Sequence, residues 1–539
     1  MKKILLVFLV LTALLLLPGV RAASAQDNWS NLENRHVIIS HIDIHILPVF
    51  DLQNPRENYF IGRWANLIHI NTRTEIIRPA ILFTEGEPVN ELQIRASERL
   101  LRSLPYVRDA EIIPSENADS SVTAIVKVHD AWSLKLNLDL SYVGGESEWN
   151  VMLREYNLLG LGKQIQIGYN KTIDRRFTDF AYQDPLLLGT RWVLSTEYRG
   201  LSDGAAKYAA LYHPFYDVNT PWAAGFMAND LKNIQTFYER GEPIYNLTSN
   251  QSLFSLFYQF RFWRHNKSVQ RAGLEYRLFA YRYHPLNVFQ TGVLPLYSSY
   301  ERHFQGLLGF WQYYQDDYIS RQNINFMEKL EDFNLGWDAQ LRIGYFPETL
   351  GSTHSAVYTE GSVEKGIAVD DHSFLSGNIS WHGLEEAGRL KHLWSSSDIR
   401  FFDQHFTAQT LMLSFQFTNS HNPLPEDVSY LGGKDRLRGY MNHFRIGDAR
   451  WMFTLEDRIF TSFNLLGIFQ LGFVAYLDAG GIRELSTGRW SKNYASVGTG
   501  LRIGNLKSAF GRVISLTVAT PVVRESGVKG IQILLSSEI

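Results

Sequence analysis

The sequence predicts an all-β transmembrane barrel of about 16 antiparallel strands preceded by one small α+β domain. Three observations carry that expectation. From Trp132 onward, short segments alternate apolar and polar residues between polar, Gly-rich turns. This is the two-residue period of strands with one face in lipid and one in a polar lumen. Aromatic residues make up 14% of the 539, with 33 Phe and 27 Tyr, a load that suits the aromatic girdles of such barrels. The mean hydropathy is −0.17, too low for a bundle of membrane helices. Beyond Leu17 there is no uninterrupted apolar run of about 18 residues, the length that would mark a helical span.

Composition also removes several functions. The chain has no Cys, and therefore no disulfide framework, cysteine zinc site, thiol nucleophile or lipoprotein anchor. A net charge of −3 gives no reason to expect nucleic acid.

In chain order, Lys2 and Lys3 precede the apolar run Ile4 to Leu17, then Pro18 and Ala23-Ser24-Ala25. That is a secretory signal peptide over 1–25, cut before Gln26. Its apolar run is short for a helical span of about 20 residues. Residues 26–35 read as a short linker.

The α+β domain is expected over 36–131. Ile38, Ser40, Ile42, Ile44 and Ile46 fall on one face of a strand, with His41, Asp43 and His45 on the other. Those three polar residues lack a fourth metal ligand and read as a solvated face. A polar connection containing Pro55 and Gly62 follows. A helical pattern runs from Glu75 to Phe83 behind Thr72 or Thr74, with a kink at Pro79. A second helix begins behind Asn90, places Leu92, Ala96, Leu100, Leu101 and Leu104 on one stripe, and stops at Pro105. Strands Val107–Ile113 and Val122–Val128 close the unit.

The barrel is expected over 132–539. Its clearest strand is Ile468–Gly480, with Phe469, Leu471, Phe473, Ala475 and Leu477 outward and Gln470, Gly472, Val474, Tyr476 and Asp478 inward. In the preceding strand Trp451, Phe453, Leu455 and Ile459 face outward, and Arg450, Thr454, Glu456 and Arg458 inward. Three further strands follow: Ala495–Ile503, Arg512–Val522 and Gly527–Ile539. About eleven strands are expected upstream, at a typical strand-plus-loop repeat.

Between the two halves lies a loop, around 431–445, reading Leu431-Gly-Gly-Lys-Asp-Arg-Leu-Arg-Gly-Tyr440. Gly432 and Gly433 form its base, and Gly439 is expected to supply the backbone angles of a tight tip. Taken alone, Arg438 reads as a solvated loop cation and Asp478 as a lumen charge. Motifs for enzymatic chemistry are missing: the sequence contains no G-x-S-x-G, P-loop or H-E-x-x-H. Glu456 and Asp457 point to opposite faces of one strand, so they form no carboxylate pair.

Two resemblances sharpen this reading. Strand–helix–helix–strand–strand, with Arg99-Leu-Leu-Arg-Ser-Leu-Pro-Tyr-Val-Arg-Asp-Ala110, resembles a polypeptide-transport-associated (POTRA) domain, although Pro79 departs from that pattern. The mature chain resembles the superfamily of outer-membrane insertases (BamA- and TamA-type) and two-partner-secretion transporters (FhaC-type). Its hallmarks here are Leu437-Arg438-Gly439-Tyr440 and Tyr476-Leu-Asp478-Ala-Gly480. Asn157-Leu-Leu-Gly-Leu-Gly162 and Asp184-Pro-Leu-Leu-Leu-Gly-Thr-Arg191 resemble the family's early-barrel segments. The end Ser537-Glu-Ile539 lacks the family's usual terminal aromatic.

The resemblance implies that Arg438 folds into the lumen onto Asp478, with Glu456 close enough to share the cation. It implies a non-enzymatic outer-membrane protein without cofactor, its N-terminal domain in the periplasm offering a sheet edge to clients. Its partners would be outer-membrane lipid, unfolded outer-membrane or secreted polypeptides, and periplasmic chaperones or accessory lipoproteins. Assembly or insertion of clients is the leading expectation. A dedicated transporter for one exoprotein is the alternative within this class; a passive diffusion porin and an adhesin-like structural barrel are the alternatives outside it.

Overall fold

A computed structural model describes residues 28–538 apart from 56, 144–145, 290–296, 407, 434–436, 509–512, 526–527 and 529. The expected signal peptide and its cleavage site lie outside these residues, as does Ile539.

The N-terminal module is built on a three-stranded sheet. Helix α1 spans Asn28–Asn34 and strand β1 Ile39–Leu47, followed by helices α2 (Phe60–Ile68), α3 (Thr74–Ile77) and α4 (Glu91–Ser103). Strands β2 (Val107–Glu116) and β3 (Val122–Asp130) complete it, in the order β1-β3-β2, with β1 parallel and β2 antiparallel to β3. On β3, Val122, Ala124, Val126 and Val128 are fully buried, as their alternation requires.

Several details differ from expectation. Residues 26–35 are not merely a linker, because Trp29 and Leu32 of α1 enter the core and the Trp29 indole N–H donates to the Ile112 carbonyl at 2.9 Å. A bulge between Ile39 and His41 shifts β1, so that Ile39 is buried and Ile38 exposed. Thr72 caps no helix; its backbone N–H and hydroxyl both donate to the Asp130 carboxylate. Pro79 turns the first helical pattern into a 3-10 turn that ends at Ala80, short of Phe83. Helix α4 starts behind Asn90, whose side chain accepts from the Gln93 N–H at 3.1 Å. Its buried face is rotated to Ile94, Ser97, Glu98 and Leu101. The rotation follows from two polar contacts: Glu98 accepts the Ile112 N–H at 2.8 Å and Ser97 accepts the Leu82 N–H at 2.9 Å. Helix α2 occupies the stretch that read as a polar connection.

The rest of the chain is one antiparallel sheet curled into a barrel. Twenty strands follow one another around the wall, with the three-residue segment Ser429–Leu431 beside them. The expectation of about 16 was therefore low. All five strands after the Arg438 loop are present, so the shortfall is upstream. There, strands such as Lys163–Lys171, Arg176–Asp184 and Val193–Leu201 are only nine residues long. An average repeat undercounts such strands.

An even number returns the last strand to the end where the first began, and both ends lie beside the module. The first strand, Leu134–Val143, pairs with its sequence neighbour along its whole length. With the last strand, Gln532–Glu538, it shares two residue pairs among the described residues, Ile533 with Tyr142 and Leu534 with Ser141. That is a weak seam.

The expected alternation holds on the strand Phe469–Glu484. Gln470, Gly472, Val474, Tyr476 and Asp478 are buried, while Phe469, Phe473, Ala475 and Leu477 are exposed.

The module sits on one mouth of the barrel. Both early-barrel segments serve as its docking turns. The Asn157 side chain donates to Thr72 at 2.8 Å, Arg73 N–H to the Gly160 carbonyl at 3.0 Å, and Arg191 to the Pro79 carbonyl at 2.9 Å. Gly162 has φ +66°, and a Cβ there would stand 2.8 Å from Ile76 and 2.9 Å from the Tyr106 hydroxyl. On the other side of the module, Lys507 pairs with Glu57 at 2.7 Å.

Candidate functional site: a lumen lock held from both ends

The loop that joins Gln409–His421 to Arg445–Leu465 enters the barrel from the end opposite the module. Its Ser429–Leu431 segment pairs with Arg445–Gly447, which carries the following residues inward. Gly432 and Gly433 have φ of +101° and +92°, a left-handed backbone that favours glycine. Residues 434–436 lie outside the described residues.

At the tip, Arg438 meets two wall carboxylates. Its Nε donates to Asp478 Oδ2 and its Nη2 to Asp478 Oδ1, both at 2.8 Å. Its Nη1 donates to Glu456 Oε2 at 2.8 Å, and its own backbone N–H to Asp478 at 3.2 Å. The guanidinium carbon lies 3.2 Å from the centroid of the Tyr476 ring. Thr454 adds a hydroxyl to Asp478 at 3.0 Å. Asp478, Glu456, Thr454 and Tyr476 converge because the period of two puts them on the lumen side of two adjacent strands, where Thr454 lies opposite Asp478 and Glu456 opposite Tyr476. The planar donor fork of arginine fits this arrangement; a lysine would offer one point of donation.

The neighbours of Arg438 seat the tip. The Tyr440 hydroxyl lies within reach of the Val523 and Ala495 carbonyls, at 2.6 and 3.2 Å, and its ring is wedged against Phe444 and Tyr494. Gly439 is required for a reason other than the expected one. It is absent from the positive-φ positions, and the left-handed residue is Leu437, at φ 65°. What Gly439 provides is closeness: a Cβ there would lie 2.5 Å from the Ser496 Cβ and 3.0 Å from the Pro521 nitrogen. Gly480 similarly leaves room for Met452 and Leu431, at 2.5 and 3.0 Å from a Cβ built there.

The sequence did not reveal what reaches this site from the module end. Between the strands Tyr300–Gln315 and Trp337–Phe346 the chain forms a hairpin, Tyr318–Gln322 against Leu330–Asn334. Its turn enters the lumen. There Arg458 donates to the Ile324 carbonyl at 2.6 Å, Arg502 to the Asn325 carbonyl at 2.9 Å, and Thr410 to the Asn323 carbonyl at 2.7 Å. Glu331 accepts the backbone N–H groups of Ile324, Asn325 and Phe326, fixing the turn. The same Arg458 donates its Nε to Glu456 Oε1 at 2.8 Å. Glu456 therefore holds the Arg438 loop with one oxygen and, through Arg458, the hairpin with the other.

The base of the hairpin is tied to the module. Arg102 forks onto Asp332 with two 3.0 Å bonds, and Arg99 reaches both oxygens of Asp316 at 2.7 and 2.8 Å. In the sequence Arg99 and Arg102 stood out only as part of the stretch that resembles a POTRA helix and turn. The partner carboxylates lie more than 200 residues away, so no local spacing announces them.

No known family model matches the chain, and no curated protein matches it. Among solved structures it is similar to BamA from Haemophilus ducreyi lacking POTRA domains 1–3, at 12% identity and TM-score 0.41, over 93% of this chain and 85% of that one. It is also similar to CdiB from Acinetobacter baumannii (12%, TM-score 0.45, 93% and 74%) and CdiB from Escherichia coli (12%, TM-score 0.45, 96% and 80%).

The expected client edge is partly occupied. On β2, the Ala110 carbonyl accepts from Arg102 and the Ile112 N–H and carbonyl are taken by Glu98 and Trp29. Val37, just before β1, and Ile39 on it pair with the 86–89 segment, and the Ile42 N–H goes to Glu85. The more open edge is the second half of β1, from Asp43 to Leu47.

Proposed function

We propose that the protein stands in the bacterial outer membrane, its module in the periplasm, and moves polypeptide clients into or across that membrane without enzymatic chemistry. A client would add as a strand to the Asp43–Leu47 edge of β1, through main-chain hydrogen bonds that need little sequence specificity. It would then be passed to the barrel. The observation that carries the reading is the lumen filled from both ends, with Glu456 shared between the two plugs. A diffusion porin keeps a water-filled channel, whereas here an arginine-locked loop, a hairpin and a docked module stand in the way. The seam of two residue pairs supports insertion sideways into lipid as the leading route. Opening it would break few backbone bonds, and each of those is costly to expose to hydrocarbon.

The test is to deplete the protein in its native host and quantify the outer-membrane and secreted proteomes. A fall across many unrelated barrel proteins supports insertion. Loss of one exported protein with the barrels intact supports a dedicated transporter. Unchanged proteomes with altered solute uptake would overturn the proposal in favour of a porin.

A further inference from the structure

Helix α2 presents the wrong face to water. Phe60, Ile61, Trp64, Leu67 and Ile68 are all exposed, Leu67 by 82% and Phe60 by 74%, and Ile70 just beyond is exposed too. At 100° per residue these five helical positions fall within about 120° of arc, a complete apolar stripe. The opposite side is the one the module holds. Asn66 donates to the Phe50 carbonyl at 2.8 Å and accepts the Phe50 N–H at 3.1 Å. Gly62 lies so close to the Glu57 carbonyl that a Cβ would collide with it, and Ala65 is buried with Val49 and Phe50. The stripe therefore faces outward because the seat fixes it there.

The position of the helix says what covers that stripe. The Tyr59 hydroxyl, at its N-cap, donates to the Leu466 carbonyl in the turn between Arg445–Leu465 and Phe469–Glu484. Ile468 of the same turn packs into the cluster under the helix, as does Trp132 at the approach to the first barrel strand. Around this turn Phe463, Leu465, Leu466 and Phe469 are exposed, and Leu134 is exposed on the first strand. These are the foot of the outward apolar band. The helix that carries the stripe is seated directly on this foot, through Tyr59 and through the cluster of Ala65 with Trp132 and Ile468.

We propose that α2 is an interfacial membrane helix, its stripe embedded in the periplasmic leaflet at the foot of the barrel, near the strands that form the seam. Short helices with one strongly apolar face lie in the interface in this way, and Trp64 and Tyr59 have the amphipathic rings that favour that depth. The module would thus be held on the lipid as well as on the barrel, and the helix would disturb lipid packing close to the site where a client could leave sideways. The inference rests on the barrel standing in a membrane, and its test separates the two.

The chain has no native Cys, so single cysteines can be labelled with an environment-sensitive fluorophore. The full chain, as Leu67→Cys, Leu136→Cys or Glu87→Cys, is reconstituted into phosphatidylethanolamine–phosphatidylglycerol vesicles carrying nitroxides on their acyl chains. Leu136 is exposed on the barrel wall and Glu87 on the module surface. Quenching of the Leu67 probe by lipid nitroxide within about twofold of that at Leu136, with protection from aqueous iodide, is the expected result; the Glu87 probe should show the reverse. An iodide-accessible Leu67 probe with a lipid-quenched Leu136 probe would overturn the proposal and leave the face to a polypeptide partner. If lipid quenches neither, the membrane reading falls and the proposal falls with it.

Discussion

Arg438→Lys tests the lock without removing its charge. The arginine makes three side-chain hydrogen bonds at 2.8 Å to two carboxylates and stacks on Tyr476. Hydrogen bonds to charged groups contribute about 1.5–3 kcal/mol each. A lysine ammonium donates from a single atom and cannot reproduce the two-nitrogen fork on Asp478 together with the bond to Glu456, so at least one of these bonds is lost, together with a stacking contribution of about 0.5–2 kcal/mol. The side chain is 19% exposed, so we take the low side of the sum, about 3 kcal/mol. The assay is hydrogen exchange on the reconstituted protein, read at four loop amides. Arg438 N–H donates to Asp478, Gly439 N–H to Ser496, Gly433 N–H to the Tyr440 carbonyl, and Tyr440 N–H to the Leu437 carbonyl. A loss of about 3 kcal/mol from local opening is about a hundredfold faster exchange at these positions, with the outer wall strands unchanged. Unchanged exchange at all four amides would refute the claim that this arginine holds the loop. The reciprocal swap, Arg438→Glu with Asp478→Arg, should restore nothing, because the new glutamate would face Glu456.

Three further outcomes follow from the geometry. Gly439→Ala should displace the tip and cost about 1–3 kcal/mol by overpacking, and Ser496→Gly in the same chain should recover part of it; thermal melting measures both, and equal melting of Gly439→Ala and wild type would contradict the close approach. Arg102→Ala, by removing the fork on Asp332, should free the hairpin and raise single-channel conductance in planar bilayers, whereas unaltered conductance would mean the hairpin needs no anchor. Burial, with Arg108 beside it, holds the His129 imidazole of the module below its ordinary pKa, and its neutral Nδ1 accepts from Arg108 at 3.3 Å. The unfolded chain takes up this proton near pH 6.5 and the folded module only lower. Stability present above about pH 6.5 is therefore lost as the pH falls through the folded value, and His129→Gln should flatten the loss of melting temperature between pH 7.5 and 5; an identical slope would refute it.

What could be read from the sequence was local. Asp478 and Glu456 face the lumen because a strand alternates strictly, and the segment around each is long enough to set the phase. The paired glycines at 432 and 433 marked the base of the loop. Contacts made at a distance were not legible. The hairpin over Tyr318–Gln322 and Leu330–Asn334 has the same two-residue period as the wall, so nothing marked it as a plug. Arg458 was read correctly as inward, but its second partner is a backbone carbonyl, which carries no sequence signal. Gly439 was assigned to backbone freedom when its role is steric, a distinction set by Ser496 and Pro521 far along the chain. Helix α2 was hidden because its apolar spacing surrounds Gly62, which read as part of a polar connection, whereas Gly62 and Asn66 lie on the side it turns to the module.

The two plugs also set a test of route. Barrel diameter grows with strand number, and a wall of this size leaves a wide lumen unless something fills it. Here loop and hairpin fill it together, and both depend on Glu456. Withdrawing either arginine leaves a buried carboxylate with half its charge compensation, so a client passing through the lumen would have to displace two elements that favour each other's seating. A client leaving through the seam would displace neither. Cysteines at Asn323 and Thr410, where the Thr410 hydroxyl donates to the Asn323 carbonyl at 2.7 Å, can be bridged by a short bis-maleimide to fix the hairpin to the wall. On the sideways route the bridged protein should insert a client barrel into vesicles at an unchanged rate. If bridging stops transfer and a matched single-cysteine control does not, the client travels through the lumen and the hairpin is its gate.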